Sequence, residues 1–350
     1  MAYINFKPQS YFNTVTYDGT ATSGRAVTGV GFQPDLTWIK DRVGSNEHYV
    51  GDSVRGSTKQ LITNTNAAEH TASQGLQSFD ADGFTVGSDG DVNPNHGTSY
   101  PEAVSWNWKG GTTSVPSGGS ITPTGVSRNT TAGFYCAKYS GNGTDNATLA
   151  HGLGKKPNFI VVKKLNATYN WANMSTAWND NGKILSWTIT NSLMTDDVFG
   201  NTQASSDYIY LNDNGYGNAS GSTYVIYAWA NIDGYFRTGP YMGNANVNGP
   251  VIYTGFSPAM VIIKRYDGSD GWNMWDNKRT PHNLRNKYLE PDYNGPEVTG
   301  TSDHVVDFLS NGFKIRGSGS ETNTNGGNYV YMAWASNPII GSNGTVGVAI

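Results

Sequence analysis

The sequence predicts an all-β protein built from three tandem β-sandwich or jelly-roll modules. Composition is the first reason: Gly is 44 of 350 residues, Tyr 21 and Trp 10, and only 14% are charged. Gly and Asn mark turns, and aromatic and β-branched side chains fill strands, whereas a helical chain would be rich in Ala, Glu, Lys and Leu. Second, a set of phrases recurs three times in one order, as a repeated fold unit requires. Third, short apolar runs alternate with turn signals, and no stretch sustains a 3.6-residue period over three turns.

Each repeat begins with a Phe/Tyr phrase: Phe12–Tyr17, Phe134–Tyr139 and Phe236–Tyr241. An apolar phrase closed by Lys follows: GFQPDLTWIK (31–40), GLGKKPNFIVVK (152–163) and GFSPAMVIIK (255–264). The repeat ends on Trp108, Trp229 or Trp334. Tyr to Pro is 17 (17→34), 18 (139→157) and 17 (241→258) residues, and Pro to Trp is 74 (34→108), 72 (157→229) and 76 (258→334). The boundaries are therefore an arm 1–11, module one 12–111, a Ser/Thr/Gly/Pro linker 112–125, module two 126–234, module three 235–336 and a tail 337–350. A module near 100 residues can bury its own core, unlike repeats of about 20–50 residues that need neighbours to fold.

Within a module the strands can be justified in turn. The Phe/Tyr phrase is the first. The run after the Pro is apolar on both faces, so it should be a central strand covered on both sides. The Pro stands at the strand start, where no ladder donor is needed, and the closing Lys marks a return to solvent. A variable middle follows, with Arg55, Lys183 and Arg279 recurring in it as pairing residues. Asp82–Gly83 and Asn311–Gly312 between apolar runs signal hairpins. The last strand carries Trp106/Trp108, Tyr227/Trp229 and Tyr331/Trp334. The first two pairs keep the period of two; the third does not, which predicts an offset or bulge. The linker implies that module one is tethered loosely, while seven residues from Trp229 to Phe236 hold modules two and three together (236 − 229). The tail is apolar and Gly-rich and should dock on another surface.

The net charge is −4 and no basic run occurs, which argues against nucleic acid as a partner. No apolar run nears the about 20 residues that span a bilayer, and the first ten residues lack a secretory core, so cytoplasmic synthesis without membrane insertion is expected. Cys136 is the single cysteine and reads as a small buried hydrophobe.

No catalytic constellation is legible. None of the six Glu occupies the same place in all three modules, so paired carboxylates for glycoside hydrolysis are not indicated. Asp80–Gly83 and Asp89–Asp91 lack the spacing and bidentate Glu of a calcium loop and read as turns. The His residues are scattered, and His151 reads as structural. Gly317–Ser320 has no helix after it to cradle phosphate. The expectation is a non-enzyme with no cofactor and no metal. Aromatics in the variable loops could stack on sugar faces, with Asn and Asp taking hydroxyls; Tyr169, Trp171, Tyr266 and Trp272 are the candidates. Trp178 and Trp275 read as core cover. Ile4, Phe6 and Tyr11 in the arm are candidate assembly residues.

The ordered phrases over about 12–338 resemble the tandem repeats of virion structural, tail-fibre-like proteins of tailed phages of marine bacteria. The likeness is carried most faithfully by Tyr253–Thr254–Gly255–Phe256, Lys278–Arg279–Thr280–Pro281 and Ala333–Trp334–Ala335–Ser336–Asn337–Pro338. Module two departs, with Asn179–Asp180–Asn181–Gly182 where the Lys–Arg phrase stands. The resemblance implies a concanavalin-like, lectin-like sandwich on a virion, in a fibre or a head decoration, and brings no catalytic residues. Other virion proteins, a homotrimer by analogy and host surface polysaccharide are the implied partners. A purely structural assembly protein and a glycan depolymerase are the alternatives.

Overall fold

The computed structural model describes residues 7–178, 180, 182–340 and 346–347. Every module has the same large antiparallel sheet, with four strands in one order. A lead strand (Phe12–Tyr17, Phe134–Ser140, Phe236–Met242) pairs with the Trp strand (Ala103–Trp108, Thr223–Trp229, Asn328–Ala335). The Trp strand pairs with the central strand (Leu36–Asp41, Phe159–Lys164, Pro258–Arg265), and that with an outer strand (Tyr49–Asp52, Ala172–Ser175, Trp272–Asp276). The register repeats too: Phe12, Phe134 and Phe236 face Trp108, Trp229 and Trp334 across the first pair.

A smaller three-stranded sheet backs each large one. Its strands are Arg25–Thr28, Gly83–Val86 and Leu76–Asp80 in module one. Those of module two are Ala147–Ala150, Tyr208–Leu211 and Phe199–Ala204; those of module three are Val251–Tyr253, Gly312–Ile315 and Val306–Leu309. The two sheets of a module enclose a core of its own, so these are sandwiches.

A fourth core lies between the modules. It gathers Phe12, Phe134 and Phe236, the three Trp of the Trp strands, and side chains from all three central strands. The rings of Trp108, Trp229 and Trp334 form a near-equilateral triangle, with centroids 6.0, 5.4 and 5.9 Å apart, crossed edge to face. Three large sheets thus turn their second faces onto one pseudo-threefold axis. That is why the central strands are apolar on both sides: one face meets the module's own back sheet, the other meets the neighbouring modules.

Several expectations are corrected. Module one is not loosely tethered, because Trp108 packs on both Trp229 and Trp334. The 112–125 segment is not a free spacer: Ile121 is buried, and Gly125–Asn129 pairs with the lead strand of module two as a fifth strand. The Trp strand of module three runs in register against its lead strand, and the bulge in this copy lies instead against the central strand, between Pro258 and Met260; Met332 holds the place of Trp106 and Tyr227, and Tyr331 faces the other way. Lys40, Lys163 and Lys264 do not return to solvent but are fully buried. Gly317–Ser320 does lead into a helix, Ser320–Asn323, but one turn is too short to present an anion site. Most of the 337–350 tail lies outside the described residues.

Candidate functional site

The polar and aromatic residues that repeat at fixed register meet at the seams between modules. Each seam joins one module to the next, and the third joins back to the first, which is how heterologous contacts close into a ring.

Asp52, Ser175 and Asp276 stand at one position, since each pairs with the central-strand residue that faces the axial Trp. Three residues later come Arg55, Trp178 and Arg279. Two residues before the Thr that faces Lys59, Lys183 and Lys287 come Glu69, Leu193 and Glu297. In modules one and three this makes a buried Asp–Arg–Glu relay. Arg55 Nε meets Asp52 Oδ2 at 2.5 Å and its Nη1 meets Glu69 at 3.2 Å; Arg279 repeats this with Asp276 at 2.5 Å and Glu297 at 3.1 Å. The relay reaches into the next module at Tyr227, whose hydroxyl donates to Asp52 Oδ2 at 2.5 Å, and at Trp106, whose indole N–H donates to Asp276 Oδ2 at 3.2 Å.

Module two has Ser175, Trp178 and Leu193 instead, and the facing position in module three is Met332. A carboxylate there would find neither an Arg three residues on nor a Tyr or Trp donor at the facing position, and a buried unpaired charge is costly. The three charged residues are replaced together, and the seam becomes Ser175 Oγ to Thr238 Oγ1 at 3.4 Å and Trp178 against Tyr266, centroids 6.0 Å apart.

The electrostatics follow. Burial alone would raise the Asp276 carboxyl, but the Arg279 guanidinium beside it holds it below the usual carboxylate range. Burial would likewise lower Arg279, and Asp276 and Glu297 overcome it and raise it. Glu297 also takes a bidentate contact from Arg42 of module one, at 3.0 and 2.9 Å.

The buried Lys residues tie down hairpins, and two of them, Lys163 and Lys264, reach across seams. Lys163 Nζ donates to the Tyr169 carbonyl at 2.8 Å and to the Asn66 carbonyl of module one at 3.3 Å. Lys264 Nζ donates to the Thr190 carbonyl of module two at 3.2 Å, and Lys40 Nζ to the Asp41 carbonyl at 2.8 Å. Burial pushes all three down to about 8.

The candidate sugar-stacking residues lie in these seams. Trp171 and Trp272 are fully buried. Trp171 Nε1 donates to the Ile62 carbonyl of module one at 2.8 Å, and Trp272 Nε1 to the Ser186 carbonyl of module two at 2.7 Å. Neither offers a face to a ligand; both are pegs that lock a module onto the one before it, and His48 holds the equivalent place in module one. Tyr169 and Tyr266 are half-buried, Tyr169 edge-on to Tyr216 at 4.8 Å and Tyr266 on Trp178. Among the assembly candidates, Tyr11 is half-buried and edge-on to Tyr235 at 6.3 Å; Ile4 and Phe6 lie outside the described residues. Lys183 pairs within its own hairpin, while Arg55 and Arg279 serve the seams. The signal that could have found this site is the parallel replacement of Asp–Arg–Glu by Ser–Trp–Leu at matched positions.

A titratable cluster lies beside the seam of modules three and one. His304 Nε2 meets Glu321 Oε2 at 2.7 Å, and Asn273 donates to the same oxygen at 2.8 Å. Burial, then Glu321 and Asp292, pushes Glu290 up to about 7; burial pushes Asp292 up to about 6. Among the described residues, no group of three or more His, Cys, Asp or Glu is placed to hold a metal ion, and no helix is long and apolar enough to cross a membrane. His151 is buried and structural: its Nδ1 accepts the Leu153 amide at 3.2 Å.

The chain belongs to the family described as a domain of unknown function (DUF7483), whose model matches residues 7–338. No curated protein and no solved structure matches it.

Proposed function

We propose that this member of the family is a structural component of a phage virion, a fibre or head-decoration unit whose work is architectural. The observation that carries the reading is the closure of three modules around Trp108, Trp229 and Trp334. The side chains that repeat in register are used to build one rigid threefold hub from one chain. On this reading the threefold symmetry expected of such appendages lies within the molecule. The ordered phrases resembling phage tail-fibre repeats support the same reading, as analogy of sequence. Host-polysaccharide contact, if part of the role, falls to Tyr169 and Tyr266, the two candidate aromatics that keep part of the ring at the surface.

The test is to find the protein on purified particles by labelling and cryo-microscopy. Stoichiometric density for one three-lobed molecule per attachment point is the expected result. Absence from washed particles would overturn it, and release of reducing ends from host polysaccharide would favour the depolymerase instead.

A further inference from the structure

The second residue of each lead strand stands beside a gap between that strand and the first strand of the back sheet. In module one it is Asn13, whose Nδ2 crosses the gap to the Gly29 and Val30 carbonyls at 3.2 and 3.1 Å. In module two it is Tyr135, whose hydroxyl crosses to the Ala150 carbonyl at 3.0 Å. There the 112–129 segment fills the gap as well. The Ile121 amide donates to the Thr148 carbonyl at 3.0 Å, and Ile121 and Val126 pack with Tyr135, Ala137 and Leu149.

In module three the matching residue is Arg237. It is exposed, and its side chain turns to the Tyr331 hydroxyl rather than across the gap. Among the described residues no side chain of this lead strand hydrogen-bonds to Val251–Tyr253. Only residues 230–235 precede it after module two, too few to lay a covering segment. Matched replacements widen the gap further. Gly239 stands where Val15 and Ala137 stand, and its ladder partner Tyr331 where Ser105 and Ile226 stand. A Cβ on Gly239 would meet the Tyr331 hydroxyl at 3.4 Å, so the glycine leaves room beside that ring. On the far wall, Val251 and Tyr253 replace Ala26 and Thr28 of module one and Thr148 and Ala150 of module two. The result is a cleft of about 380 Å³ in one module alone, within the range of small-ligand sites.

The lining defines the ligand. Val251 is 59% exposed and Tyr253 65%, and clustered exposure of this kind marks a binding surface. The Tyr253 ring offers a flat apolar face with a hydroxyl at its edge, which suits the C–H face of a pyranose. Arg237 is the only charged residue of the lining, and no Asp or Glu opposes it. A guanidinium fork matches a carboxylate. A peptide strand fits less well. The Asn231 side chain already engages the amide and carbonyl of Thr238, and Pro240 has no N–H to offer. A polyphosphate is disfavoured by the net charge of −4.

We propose that the module-three cleft binds an acidic sugar residue of a polysaccharide, its ring on Tyr253 and its carboxylate on Arg237. The site stands apart from Tyr169 and Tyr266. It goes beyond the virion reading and does not depend on it.

Calorimetric titration of the full chain tests it, with short oligomers of galacturonate, glucuronate and mannuronate as probes. At least one uronate oligomer should bind, and its neutral hexose counterpart should bind about tenfold more weakly or less. Added salt should weaken the uronate and spare the neutral sugar. Arg237→Gln should erase the preference for the acidic sugar. Tyr253→Ala should weaken both sugars, and neither variant, at an exposed site, should lower the melting temperature. No binding of any uronate, equal binding of acidic and neutral sugars, or binding unchanged in both variants would overturn the proposal. So would tighter binding of a Glu-rich peptide, which would give the cleft to a protein partner. A null result here would leave the protein's place on particles to be decided by its own test.

Discussion

The hydroxyl of Tyr227 donates to Oδ2 of Asp52 across a module boundary, on the same oxygen that Arg55 Nε reaches. Asp52 is thus shared between the ion pair of its own module and the strand of the next. The pair is fully buried, so removing one partner leaves an uncompensated charge. Asp52→Asn should cost about 3–5 kcal/mol in urea unfolding. A fourfold replacement, Asp52→Ser, Arg55→Trp, Glu69→Leu and Tyr227→Met, imports the module-two seam and should cost less than Asp52→Asn alone. If the fourfold variant is the less stable, the matched-replacement account fails.

Trp272→Ala should destabilise by about 3–5 kcal/mol, the range for large aromatics lost from a core. Trp272→Phe should keep much of the packing but orphan the Ser186 carbonyl, at about 1–3 kcal/mol. Binding of any polysaccharide by folded Trp272→Phe should match that of the parent. A selective loss of binding at unchanged melting temperature would return Trp272 to a ligand site.

The Glu290 and Asp292 carboxyls are raised in the folded state, to about 7 and about 6. A raised carboxyl holds its proton better when folded, so its contribution is present at low pH. It is lost as pH climbs from the unfolded value near 4 to about 7. His304, raised by Glu321 against its burial, acts in the same direction. The difference in urea midpoint between parent and Glu290→Gln should therefore shift in favour of Glu290→Gln between pH 4.5 and 7.5. A pH-independent difference would remove Glu290 from the account. Lys40, Lys163 and Lys264 act on the alkaline side: their folded values near 8 lie below the unfolded 10.5, so stability gains from them between those limits.

Cys136 is buried in the shared core, and burial pushes its thiol well up. A thiol-specific disulfide reagent should label none of it in the native protein and all of it in urea. Labelling at the native rate of a free thiol would show that the lead strand of module two leaves the axis readily.

The strand phrases were legible because they obey local rules: period two, Pro at strand starts, Asp–Gly and Asn–Gly at turns. The pairing of modules was not, because it depends on side chains whose types mislead. Lys40, Lys163 and Lys264 carry charges that normally mark solvent, yet each is surrounded by carbonyl oxygens and drawn under a hairpin. Trp171 and Trp272 follow Tyr–Asn and Asp–Gly pairs that look like exposed loops, but the indole N–H of each needs the carbonyl of the preceding module. Residues 112–125 have a linker's composition, and only the presence of an unfilled cleft converts Ile121 into a core residue.

The void between Trp108, Trp229 and Trp334 is only about 10 Å³ and is lined wholly by apolar and aromatic side chains. No module can rotate or withdraw without dragging an indole past two others, and each indole stands in the middle of a hydrogen-bonded sheet. Linear repeat arrays unfold piecemeal because a unit touches only its neighbours. Here every unit touches both others at one point, and heat should find no weakest link to melt first. A single calorimetric transition, with van't Hoff and calorimetric enthalpies equal, is the expected thermogram of all 350 residues.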